Sequence, residues 1–178
     1  MIFLNSKKRL FVYQIISLIL SSVLGVLFHY TYELSGNNKF VALFSAINES
    51  TWEHLKLIFF PMIITTFLGY IFLKNEFDNF LCARTIAIII AMLFTVVFFY
   101  TYTGILGKNI AFIDISSFFI SILIGEYITD LLINNKVKCN KNIAIIFLLG
   151  IAIMFVLFTF RPPQIQLFKD PINSSYGI

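Results

Sequence analysis

The sequence predicts an all-α integral membrane bundle of about five transmembrane helices, N-terminus cytoplasmic and C-terminus external. Three observations carry that prediction. Of 178 residues, 59% are hydrophobic and only 12% charged, where a soluble chain runs at about 45–50% and about 25%, so one soluble core does not hide the apolar surface. The apolar residues fall in five long stretches, each near the roughly 20 residues that cross about 30 Å of hydrocarbon as a helix. Their apolarity is continuous, where barrel strands would alternate at every second residue.

The stretches cover about residues 10–33, 51–74, 82–105, 111–134 and 142–160, within a single transmembrane domain over 1–178. The first follows Lys7, Lys8 and Arg9. Its apolar run exceeds the roughly 7–15 residues of a signal-peptide core and no Ala-x-Ala site follows, so it reads as an uncleaved helix. Ser21 and Gly25 give it a small-residue face that lets a neighbour approach closely. The second opens on Ser50 and Glu53, a Ser-x-x-Glu capping box, with Trp52 as an interfacial aromatic anchor and Pro61 placed to bend the helix. In the fourth, Ser117, Ser121, Gly125 and Thr129 recur at intervals of four and predict a close-packing seam. Pro162 and Pro163 end the fifth. The tail, 161–178, is too polar to span; folded back over the outer mouth, it would turn Asp170 and Tyr176 toward the bundle.

Orientation follows from the cations. Eight (Lys7, Lys8, Arg9, Lys74, Arg84, Lys136, Lys138, Lys141) fall on one side and five (Lys39, Lys56, Lys108, Arg161, Lys169) on the other. The richer side is assigned to the cytoplasm of a cell membrane. Cys82 and Cys139 then face a reducing compartment, and no disulfide is expected. No basic aromatic stripe of the kind nucleic acid needs is present. The implied partners are the lipid bilayer, a further copy of the chain, or another membrane protein.

Ionisable residues inside a span cost about 3 kcal/mol each and ask for a reason. His29 and Glu33 share a face near the outer end of the first helix, where a His–Glu hydrogen bond would close a helix interface. The densest polar run is Asn48-Glu49-Ser50-Thr51-Trp52-Glu53-His54-Leu55-Lys56. Capping accounts for Ser50 and Glu53, but not for Glu49, His54 and Lys56 crowding the same two turns. Asp114 lies at the outer level, Glu126 deeper, and Asp130 near the inner end, where Lys136 or Arg84 would pair with it.

The run at 48–56 with Pro61 after it, and the tail pattern Pro162-Pro163, Phe168, Asp170-Pro171, Tyr176-Gly177-Ile178, resemble the signatures of an uncharacterised family of small bacterial multi-pass membrane proteins. The resemblance spans essentially the whole chain and implies no activity.

Better-known motifs are absent: no His-Glu-x-x-His helix, no Gly-rich phosphate loop and no Gly-x-Ser-x-Gly elbow. Three readings follow. In the first, His29, Glu49, Glu53, His54 and Asp114, with Asn48, Trp52 and Asp170 around them, form a polar site at the outer face. There His29 and His54 would hold a divalent metal such as zinc, or the cluster would act on a lipid-linked substrate. In the second, the chain is a non-catalytic partner protein. In the third, it is a small proton-coupled transporter using Glu126.

Overall fold

The computed structural model describes residues 5–137 and 139–178. It is all-helical: α1 (Ser6–Leu34), α2 (Thr51–Leu73), α3 (Phe80–Leu106), α4 (Ala111–Asn134) and α5 (Lys141–Phe160), with short 3-10 turns at Val41–Leu43 and Gln166–Phe168. All five are long and apolar enough to cross a membrane, as a multi-pass membrane protein requires. α1 starts four residues before its apolar run because Asn5 caps it, accepting from the Lys7 amide.

α2 and α3 form the centre; about half of their apolar windows is buried, against about a quarter or less in the others. α3 packs most extensively on α4, and α1 on α2. Gly25, buried on α1, meets α2 where Pro61 removes an amide from the helix: the Leu57 carbonyl lies where a Gly25 Cβ would come within 2.6 Å. Ser117, Ser121, Gly125 and Thr129 are all buried, and the Ser121 hydroxyl bonds Thr95 of α3 at 2.7 Å.

Four expectations are corrected. Arg84 is no loop cation. α3 begins at Phe80, so Arg84 lies inside it, fully buried, and pairs with Glu126 at 2.7 Å rather than with Asp130. Lys56 is likewise buried. Removing both from the sequence tally leaves seven cations against four, and the basic end remains the one carrying Lys7 to Arg9. Trp52 is no interfacial anchor. It is 8% exposed, its ring set among Phe155, Phe158 and Phe168 at centroid distances of 4.8, 5.4 and 4.9 Å. Finally, Cys82 and Cys139 are joined in a disulfide, their Cα atoms 6.0 Å apart. The chain returns to the basic end between them, so a separation of 57 residues closes to contact.

The tail folds back. Phe168 is buried against Trp52, Lys169 and Tyr176 form an isolated bridge, and the Ile178 amide donates to the Thr159 carbonyl at 3.2 Å. Gly177 has φ +63°, and a Cβ there would meet the Thr159 carbonyl at 2.8 Å, so this closure requires glycine.

Candidate metal centre

Ser50 starts α2, its hydroxyl accepting from the Glu53 amide at 3.3 Å. The reciprocal half of the capping box does not form: the Ser50 amide donates instead to Asn48 Oδ1 at 3.0 Å. This turn sets Glu49 at the mouth of α2 and His54 one turn inside it. α1, held close at Gly25, brings His29 to the same place.

Glu49 bridges the two histidines. Its Oε1 lies 3.7 Å from His29 Nε2, and its Oε2 lies 3.4 Å from His54 Nε2. The imidazole centroids are 5.3 Å apart. One ligand atom from each of the three residues lies within 4.8 Å of the others. Three donors around a tetrahedral zinc, at about 2.0–2.2 Å, sit about 3.3–3.5 Å from one another, so a small contraction would make a three-ligand centre. All three side chains are about a third or more exposed, which leaves the centre open on one side.

The hydrogen bonds fix the protons. His54 Nδ1 lies 3.0 Å from the Ser50 carbonyl, which only accepts, so Nδ1 carries the hydrogen. In the neutral ring, Nε2 then presents a lone pair to the Glu49 carboxylate. Two acceptors at 3.4 Å need a cation between them, either a proton or a metal ion. A backbone carbonyl orienting the far nitrogen is the usual arrangement around a metal-bound histidine. His29 lacks that support; its Nδ1 is buried without a partner. When a proton occupies that gap, its hydrogen bond from His54 holds the Glu49 carboxyl below the usual carboxylate range, so Glu49 is an anion at neutral pH.

A model of a family of unknown function, DUF6512, matches residues 2–178. The chain belongs to that family. No curated protein matches this DUF6512 chain. No solved structure matches it either.

The other predicted residues of this DUF6512 chain fall elsewhere. Glu33 is exposed and is not the hydrogen-bond partner of His29. Glu53 turns away from the histidines into a buried cluster. It pairs with Lys56 Nζ at 2.5 Å and accepts from the Ile47 amide at 3.2 Å. Lys56 also donates to Thr159 Oγ1 and to the carbonyls of Ala42 and Ser45. This cluster clamps the loop behind Glu49 onto α2 and α5. Asp114 accepts from the Tyr102 hydroxyl, within electrostatic reach of His54 but outside the three-residue group. Asp170 is 3% exposed and caps its own turn by accepting from the Ile172 amide.

Glu126 sits eight residues before the end of α4, about 12 Å along the helix axis. Arg84 reaches it, and also Ser17, Thr65, Thr66 and Thr129. Tyr102, Thr159 and the Ser50 carbonyl escaped the sequence reading. Thr159 had a signal, as the lone hydroxyl at the end of an otherwise apolar helix; Tyr102 had none.

Proposed function

We propose that this is a cell-membrane protein carrying a divalent-metal centre, zinc first, at its outer end, held by His29, Glu49 and His54. The observation that supports this reading is the His54 ring. Its Nδ1 is committed to the Ser50 carbonyl, while its Nε2 faces the Glu49 carboxylate. Two histidines and one carboxylate with an open side are the ligand set of catalytic zinc rather than of a closed structural site. A zinc ion so placed would lower the pKa of a bound water and polarise a carbonyl or phosphoryl oxygen. The chain's own residues would orient that chemistry toward a group presented at the membrane surface, such as the head of a lipid-linked substrate.

The basic end faces the cytoplasm in this reading, by its seven cations to four. The transporter alternative is the weaker reading, because Glu126 Oε1 is paired with Arg84, although its Oε2 is buried without a partner among the described residues.

Metal analysis of protein purified without a histidine tag tests the proposal. About one zinc per chain is expected, falling to near zero in His54→Ala and in Glu49→Gln. His29, without a buried partner for its far nitrogen, is expected to cost less. Metal-free wild-type protein after dialysis against zinc, or full retention in His54→Ala, would overturn it. Acidification through the histidine range, about pH 6.5, is expected to release the metal, because the ligating imidazoles must be neutral. Glu49 is already an anion across that range, so it does not set the midpoint.

A further inference from the structure

The Cys82–Cys139 bond lies at the end of the bundle assigned to the cytoplasm, opposite the histidine centre. Its two halves differ. Cys82, in the first turn of α3, is 2% exposed; Cys139, in the α4–α5 connection, is exposed. The bond fastens the end of α5 with the fewer buried side chains. In that half only Ala144 is buried, against Phe155 and Thr159 in the other. The other half of α5 is anchored by Phe155, by Thr159 in the Lys56 cluster, and by the folded tail.

We propose that this pair is a reversible thiol–disulfide latch on the cytoplasmic end of α5, shown closed in this structure. The proposal rests on the orientation given above and is independent of the metal centre. Cytoplasmic thiols are kept reduced, so the latch is open at rest and closes under oxidation. The couple that works it is a low-molecular-weight thiol and its disulfide. In opening, a thiolate attacks the exposed Cys139 sulfur and the Cys82 thiolate leaves and takes up a proton. A second thiol then resolves the mixed disulfide on Cys139. The balance is one protein disulfide plus two thiols giving two cysteine thiols plus one small disulfide. Closing is the reverse and also runs through Cys139, the sulfur that solvent reaches.

The test is acid-quenched alkylation in cells, followed by mass analysis of the full chain. In untreated cells both cysteines are expected to alkylate. After a membrane-permeant thiol oxidant neither should, and dithiothreitol should restore both. In Cys82→Ser, a low-molecular-weight disulfide is expected to form a mixed disulfide on Cys139. In Cys139→Ser, Cys82 should stay unmodified under the same treatment. In permeabilised membranes, trypsin cleavage after Lys136 or Lys141 is expected to run at least fivefold faster in the reduced protein, and equally fast in Cys139→Ser without reductant. A bond already complete in untreated cells would overturn the proposal, as would thiols that stay free after oxidant. Equal cleavage of both redox forms would show that the bond latches nothing.

Discussion

At the scale of single residues, the bundle depends on a few places where only one side chain fits. Gly25 is one. The Leu57 carbonyl that Pro61 leaves without a helical partner occupies the space a Cβ would need, and the Phe118 ring closes the other side. A backbone oxygen does not rotate away, so Gly25→Ala is expected to destabilise the protein by about 1–3 kcal/mol. It should also loosen the placement of His29 one turn further along. A thermal melt in detergent reads the first effect, and zinc affinity the second. By contrast, the nearest atom at Gly125 is the terminal methyl of Met62, which swings aside, so Gly125→Ala should cost less. Unchanged melting of Gly25→Ala would mean that α1 and α2 are not in contact there.

Among the helices, two buried ion pairs have different tasks. Arg84 and Glu126 tie α3 to α4, while hydroxyls from α1, α2 and α4 take the remaining guanidinium hydrogens. Removing one partner leaves a charge in an apolar interior. Glu126→Leu is therefore expected to cost about 3–5 kcal/mol, whereas the double variant Arg84→Met/Glu126→Leu should recover much of the loss. Denaturation in detergent distinguishes the two cases; equal loss in both would assign the pair a role beyond neutralising itself. The second pair, Glu53 with Lys56, joins α2 to α5 and the loop, and the tail completes that junction through Phe168. The chain has one tryptophan, Trp52, so its emission reports this junction alone. Phe168→Ala is expected to shift Trp52 emission to the red and to cost about 3–5 kcal/mol. An unmoved spectrum would contradict the packed tail.

For the whole molecule, the sequence showed the five spans because continuous apolar runs of membrane length have few other uses. It showed the polar motif because Glu49, His54 and Lys56 crowd two turns that capping alone did not need. The meeting of Glu49 with His29 was not legible, since it depends on how closely α1 approaches α2. Arg84 misled for a related reason: a cation just after a polar loop looks like a loop cation until its partner 42 residues on is placed beside it. The buried Glu126 was the one sign that such a partner was needed. The cysteine pair was hidden by the same long-range closure. What the fold adds is a separation of tasks. Arg84 and Glu126 hold the interior, Lys56, Glu53 and the tail brace one end, and the braced end presents two histidines and a carboxylate to solvent. The most direct test of that arrangement is anomalous diffraction at the zinc edge from crystals of tag-free protein. A single peak about 2.0–2.2 Å from His29, Glu49 and His54 is expected. A zinc-loaded crystal with no peak among these three residues would contradict the account.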